Sequence, residues 1–537
     1  MSGKSAVQLT FRFDMNLKRE FFVRKQNFRQ FHHHVLRAGA AAMVAAGLGG
    51  CALGPDFKTP AAPAAAGDSY TPTPLAARTA ASPGAAGGAQ QFAMGQDIPA
   101  QWWAVFRSPA LDQLIRAALE QNPSMAAAEA ALRQAQESYN AEAGSLVYPS
   151  VNGQLGVARQ KTAAAGDNKG GVFNLYNASV NVAYTPDVFG STRRTLEGAR
   201  AQVDYQRFQV EATYLALSAN VVTTAIREAS LRAQLKATQE VMDALNKQMG
   251  VIEKQFEFGA VPRNTLLTQR NQVAQIAATL PPLEKALAQS RHQLSVLAGK
   301  LPGEAGMPEF ALESLTLPDS LPVSLPSVLV RQRPDIRASE ELLHAASAQI
   351  GVATAAQYPQ FTLSGSYGSS AQTFSKLFDA ETTAWNLAAG LTAPIFNGGA
   401  LSAKRRAAEA AYDVAAAQYR STVLAAFQNV ADSLRALDSD AAALKAQAEA
   451  ESLAAESLAL ATQQYKLGGI SYLLLLDAQR SYQQAHVALV QAQAARYADT
   501  AALFQALGGG WWNRSGGVPA ATAVSAAAPY GSTGSAR

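Results

Sequence analysis

The chain has 537 residues, of which 48% are hydrophobic and 16% charged, and its formal net charge is +5. Part of that positive charge lies in the first fifty residues, so the rest is closer to neutral and a nucleic-acid partner has little support. One cysteine excludes an intramolecular disulfide, and no run of eighteen apolar residues follows it, so any membrane-spanning structure beyond it has to be β.

Lys4, Arg12, Lys18, Arg19, Arg24, Lys25, Arg29 and Arg37 precede an apolar stretch from Ala38 to Gly47. A basic region, a short apolar core and small residues before a cut describe an export signal over residues 1–50. Met1 and Met15 are both possible starts. Leu48-Gly49-Gly50-Cys51 resembles the lipobox of bacterial lipoproteins. Cys51 is then the expected mature N-terminus, carrying diacylglycerol and an N-acyl chain. No other cofactor and no metal is expected; His32 to His34 fall within the signal, and His292, His344 and His486 stand alone. Each buried CH₂ of such a lipid contributes about 0.8 kcal/mol, and two or more chains hold stably. Residues 51–100, with Pro55, Pro60, Pro63, Pro72, Pro74 and Pro83, read as an extended tether.

The body repeats itself. Tyr148-Pro149 returns as Tyr358-Pro359, Gln255-Phe256-Glu257-Phe258-Gly259 as Gln464-Tyr465-Lys466-Leu467-Gly468, and Pro123 with Glu129 as Pro334 with Glu340. An offset of about 210 residues held in three places argues for duplication of one unit. Residues 101–320 form the first copy and 321–512 the second; the small, polar segment 513–537 reads as a disordered tail.

Each copy reads helix, strand, strand, very long helix, turn, long helix. The first helix is expected from about Ala110 to Gly144. Ser191 to Phe258 holds no proline and predicts a helix of ~100 Å. Gly259 and Pro262 punctuate it, and a second helix returns from about Asn264 to Leu297, with a kink expected at Pro281-Pro282. In the second copy the long helix runs from Leu401 to Leu467, turns at Gly468-Gly469 and returns to Leu507. Val414, Tyr419, Val423, Ala426 and Val430 follow heptad-like spacing. A helical bundle alone would show this too, but the export signal and the strands argue against it.

Four segments alternate with period two. Val147, Val151, Leu155 and Val157 form one apolar row, and Val172, Tyr176, Val180, Val182 and Tyr184 a second. Phe361, Leu363 and Tyr367 form the third, and Trp385, Leu387, Leu391 and Ile395 the fourth. Asn, Ser, Thr and Gln occupy the other face, as in a barrel wall between lipid and water. The loops at Gly166 to Gly171 and Gln372 to Glu381 suit hairpin ends. Four strands cannot close a barrel and lipid does not tolerate open edges, so a trimer sharing one twelve-stranded barrel is inferred.

The motifs carry a resemblance that runs from Cys51 to Trp512. They include Cys51-Ala52-Leu53-Gly54-Pro55-Asp56-Phe57, Trp102-Trp103 with Phe106, Pro109, Leu111 and Leu114, and Arg333-Pro334-Asp335-Ile336. They continue with Pro394-Ile395-Phe396-Asn397-Gly398-Gly399, Ala426 to Asp432, Leu476-Asp477-Ala478-Gln479-Arg480, and Ala506 to Trp511. Their order and spacing resemble the outer-membrane efflux protein family, the TolC-like outer-membrane factors, and within it the OprM/NodT-type lipoprotein subgroup. The resemblance implies a mixed α/β membrane protein: a long helical periplasmic barrel, a transmembrane β-barrel with four strands per protomer, and an internal tandem duplication. It implies a homotrimer in the outer membrane, a periplasmic adaptor and an inner-membrane, proton-driven pump. Ala52 after the cysteine is similar to lipoproteins sorted outward.

Such a tube conducts passively and is not an enzyme; no phosphate loop or nucleophile–base set is legible. The resemblance places the gate at the helical tips, near Gly259, Gly468 and Gly469. Asp477 is the candidate acidic ring, Leu473, one turn earlier, the candidate apolar constriction, and Arg480 a base that pairs with a nearby acid. Some family members carry acids at the positions of Thr265 and Leu474, and here both are uncharged. Ser108 stands where an acid is common. Export of proteins through the same channel, or a non-conducting periplasmic scaffold, remain alternatives to small-molecule efflux.

Overall fold

A computed structural model describes residues 52–61, 70–163 and 170–514. The export signal, Cys51 and residues 515–537 lie outside the described residues. So do residues 164–169, at the first hairpin end. In chain order the elements are β1 (Gln91–Met94), α1 (Pro109–Gln121), α2 (Pro123–Val147), β2 (Ser150–Thr162), β3 (Gly171–Tyr184), α3 (Ser191–Glu257) and α4 (Arg263–Leu297). The second half continues with β4 (Ser320–Val323), α5 (Pro326–Gln332), α6 (Pro334–Ala355), β5 (Gln360–Ala371), β6 (Thr383–Thr392), α7 (Ala400–Lys466) and α8 (Tyr472–Ala506).

The duplication is stricter than the residues suggested. Helices α3 and α7 each have 67 residues, α4 and α8 each 35. Every boundary in α7 and α8 falls 209 residues after its counterpart in α3 and α4. The expected first helix is two helices. Pro123 pushes Asn122 into an extended conformation, which ends α1. The Asn122 side-chain Nδ2 then donates to the Leu297 carbonyl at the end of α4, at 2.9 Å. Arg333, also extended before a proline, does the same in the second copy: its Nη1 donates to the Ala506 carbonyl of α8 at 2.9 Å. Ser108 still caps α1, accepting from the Leu111 N–H at 3.4 Å. Helix α4 runs unbroken through Pro281 and Pro282.

Two compact units divide the described residues. The first holds residues 52–57, 140–198 and 346–412, with a four-stranded antiparallel sheet in the order β2-β3-β5-β6. Val147 belongs to α2 and Ile395 lies beyond β6, so both fall outside the strands expected for them. The second unit holds most of the helical length and the parallel pair β1–β4. Its core gathers Trp102, Trp103, Phe106, Leu111, Leu114, Phe504 and Leu507, and Trp102 stacks on Phe504 at 5.7 Å between ring centroids. Along α7, Tyr419, Val423, Ala426, Val430, Leu434, Leu437, Ala441 and Leu444 are buried at steps of three or four residues, while Val414 is exposed.

Part of the segment expected as a tether is packed. Residues 70–100 fold onto the second unit: Tyr70 donates to the Ser324 carbonyl at 2.8 Å, Gln90 is buried, and β1 pairs with β4. Proline excluded helix there, but not a packed extended chain. The first two residues of the segment expected as a tail are packed as well. Asn513 donates to the Asp97 carboxylate at 2.7 Å, and Arg514 holds Glu211 through two bonds of 2.7 and 2.9 Å.

Candidate functional site: a two-faced wall and the hairpin tips

In the sheet, register aligns like with like. Val151 pairs with Val182, Val182 with Gly365, and Gly365 with Leu387. Gly153, Val180, Tyr367 and Trp385 form the neighbouring row. On the opposite face Asn152, Asn181, Ser366 and Asn386 line up across all four strands. Paired residues point to the same side of a sheet. Toward the helices one face is therefore apolar or glycine and the other polar or small; toward the hairpin ends Arg159, Lys161, Asn174, Ser369 and Thr383 fall on the first face and Phe173 and Leu175 on the second. The apolar face is uncovered within the protomer, with Leu387 82%, Leu155 73% and Trp385 72% exposed.

Aromatic residues bound this face at both ends. Tyr176 lies toward the hairpin ends, with Phe374 edge-on to it at 5.8 Å, while Tyr367 and Trp385 share the row of Val180. Tyr184 and Phe361 lie toward the helices, where Phe189 and Tyr358 add a second ring pair at 5.1 Å. Tyr176 and Tyr184 are eight residues apart on β3. At ~3.4 Å per residue and a ~40° tilt that is ~20 Å, near the ~25 Å apolar band of outer-membrane barrels. Strands β2 and β6 each have a single partner. Among the described residues no helix is long and apolar enough to cross a membrane.

The hairpin tips belong to the second unit. Gly259 and Gly468 have φ of 71° and 74°, a region that a residue with Cβ enters only at a cost. Both close the same helix stop: the Ala260 N–H donates to the Gln255 carbonyl, and the Gly469 N–H to the Gln464 carbonyl, each at 2.8 Å. Ile252, Leu266, Tyr472, Leu475 and Leu476 pack beneath the tips, with Tyr465 and Tyr472 rings 5.8 Å apart. Burial pushes the Tyr472 phenol up to about 12.

Leu473 and Asp477 lie outside that packing. Leu473 is 65% exposed, and Asp477, one turn on, is exposed with no ionic partner among the described residues. Arg480 departs from expectation. Among the described residues it finds no acid; its Nε donates to the Gln272 side chain at 2.7 Å and its Nη2 to Gln275 at 3.5 Å, tying α8 to α4. Gln272 was not legible as a site residue, because a lone glutamine on a helix carries no signal without its partner's position. Two histidines are also not alone: His486 lies 3.0 Å from Glu451 and His344 3.4 Å from Glu341.

Higher on α8, Arg496 is fully buried. It donates to the Leu437 carbonyl at 2.9 Å and the Gly88 carbonyl at 3.1 Å. One turn on, burial and the neighbouring Asp440 carboxyl push Asp499 up to about 7, against the pull of Arg496. Among the described residues no cluster of three His, Cys, Asp or Glu side chains could hold a metal ion.

Known proteins share this arrangement. The family described as outer membrane efflux protein matches residues 114–300 and 325–509. The toluene efflux pump outer membrane protein TtgC of Pseudomonas putida is 30% identical over 478 residues, covering 87% of this chain and 94% of that protein. Outer membrane protein OprJ of Pseudomonas aeruginosa is 30% identical over 482 residues, covering 88% and 95%. The solved outer-membrane channel OprN superposes with a TM-score of 0.76 at 26% identity, covering 86% of this chain and all of that one. The open state of the MtrE outer membrane channel of Neisseria gonorrhoeae gives 0.74 at 27% identity, covering 86% and 99%.

Proposed function

The chain belongs to the outer membrane efflux protein family, and from that premise we propose a lipid-anchored trimeric exit duct with a gate at its hairpin tips. It has the TolC-like fold and is an outer-membrane channel of an efflux pump. The finer reading is that three copies close one twelve-stranded barrel, with Cys51 lipidated in the outer membrane. Small molecules such as drugs then pass from periplasm to exterior without catalysis. A periplasmic adaptor and a proton-driven inner-membrane pump supply the coupling and the energy.

One observation carries this reading. Over its helix-proximal part, a four-stranded sheet presents an apolar face, a face that is polar or small, and two edges that are unpaired among the described residues. In hydrocarbon each unsatisfied edge group costs several kcal/mol, so a single sheet cannot stand there alone. Closure with further copies pairs both edges and turns the row Asn152, Asn181, Ser366, Asn386 toward water.

At the tips, three Asp477 carboxylates around one axis repel one another and attract cations. Leu473 narrows the same passage with apolar side chains. Arg480, held by Gln272, keeps α8 against α4 so that the two face the axis together. Detergent-purified protein is expected to have the mass of a trimer and to open cation-preferring channels in planar bilayers. A stable, water-soluble monomer that never conducts would overturn the proposal.

A further inference from the structure

The segment that follows Cys51 does not hang free. Within the first unit the Leu53 N–H donates to the Phe189 carbonyl at 3.2 Å. Arg194, 4% exposed, closes over the same segment. Its Nε donates to the Leu53 carbonyl at 3.2 Å, and its Nη2 to the Gly54 carbonyl at 3.3 Å and the Asp56 carboxylate at 2.7 Å. Its Nη1 holds Glu197 at 2.7 Å. Two glycines make room. A Cβ on Gly190 would stand 2.5 Å from the Ala52 Cα, and one on Gly351 would stand 2.7 Å from the Arg194 Cγ. A buried guanidinium satisfied by two main-chain carbonyls and two carboxylates is a built seat, because removing the segment takes away three of those four partners and leaves Glu197 alone.

Beside this seat, where the strands meet the helices, lies a groove of 360 Å³. Tyr148, Tyr184, Phe189 and Phe361 line it together with Ser191 and Thr192. Phe189 both walls the groove and holds Leu53, and Gly190 is the residue against which Ala52 rests. The groove therefore opens beside Ala52. Tyr184, Phe189 and Phe361 belong to the helix-side girdle, the level at which such rings meet lipid headgroups. Hydroxyls beside aromatic walls suit a group that is polar at its root and apolar beyond it.

We propose that this groove binds the glyceryl root and first methylenes of the lipid on Cys51, with Arg194 positioning the chain for it. The proposal rests on the reading of Cys51 as lipidated. Ester carbonyls accept from the hydroxyls, and the methylenes that follow leave water against the aromatic walls. Ala52, the neighbour of Cys51 in sequence, rests on Gly190, next to Phe189 of the groove wall. The anchor then becomes part of the wall at a fixed place, where a loose tether would let it wander.

The test is photo-crosslinking in the full-length protein in its own membrane. A benzoylphenylalanine replaces Phe189, Phe361 or, as control, Trp385, and trypsin releases the N-terminal peptide ending at Lys58. Mass spectrometry is expected to find the lipid of that peptide joined to the probes at 189 and 361, and only bulk phospholipid on the probe at 385. Arg194→Ala in the same background is expected to lower the crosslink at least fivefold without changing trimer yield. A lipidated peptide that never joins the probes at 189 and 361 overturns the groove and leaves the anchor reading intact. A peptide with a free thiol overturns the anchor reading, and the groove with it.

Discussion

Val180 offers the sharpest perturbation of the wall. It lies on the apolar face, four residues from Tyr176 and four from Tyr184, between Gly153 and Tyr367. At ~3.4 Å per residue and a ~40° tilt it sits ~10 Å inside each girdle, at the middle of the band. An arginine facing lipid at that depth costs about 2–4 kcal/mol. Three copies in one barrel multiply this to roughly 6–12 kcal/mol, comparable to the whole stability of a typical fold. Asn181 is its neighbour on the polar face, where an arginine meets water and costs little. Val180→Arg is therefore expected to abolish the heat-sensitive trimer on unheated gels. Asn181→Arg is expected to assemble at the parent level and to shift ion preference toward anions. Equal assembly of both variants, or failure of Asn181→Arg alone, would refute the assignment of faces.

At the gate, Asp477→Ala is expected to raise closed-state conductance and antibiotic leakage severalfold; unchanged bilayer conductance would remove Asp477 from that role. For the buried carboxyl, the folded chain holds the Asp499 proton to about pH 7. The unfolded chain releases it near pH ~4, so stability falls as pH rises between the two. Asp499→Asn is expected to flatten that slope between pH 5 and 8 in urea unfolding, and an unchanged slope would exclude Asp499 as its source. Arg496→Met leaves the Leu437 and Gly88 carbonyls without their donor and is expected to cost about 2–4 kcal/mol, read as a lower thermal midpoint. A midpoint within experimental error of the parent would contradict that role for Arg496.

Much of the fold was legible because it rests on local periodicity. The alternation of Val172, Tyr176, Val180 and Val182 against Asn177, Ser179 and Asn181 is a property of one strand, and the strand formed with those faces. The register was not legible: nothing in β2 alone says that Asn152 meets Asn181, or that the polar row continues to Asn386. Residues 70–100 were misread for a related reason. Composition excludes helix there but is silent on long-range partners such as Ser324 for Tyr70. Arg194 and Gln272 acquire meaning only once residues far away in sequence lie beside them.

The duplication separates what the backbone requires from what the side chains were free to change. Tip glycines, helix lengths and the capping of α4 and α8 are kept at equivalent places. The tip side chains are not. Leu473 corresponds to Asn264, Asp477 to Thr268 and Arg480 to Asn271, by the same 209-residue spacing as the helices. Leu266 and Leu475, equivalent and buried together, show that the packing beneath the tips is shared. The apolar, acidic and basic residues thus sit on one hairpin of the pair, the hairpin whose arginine is fastened to the other through Gln272. In the proposed gate the side chains that narrow the passage therefore come from α8, while the first hairpin contributes Gln272 and its share of the packing beneath.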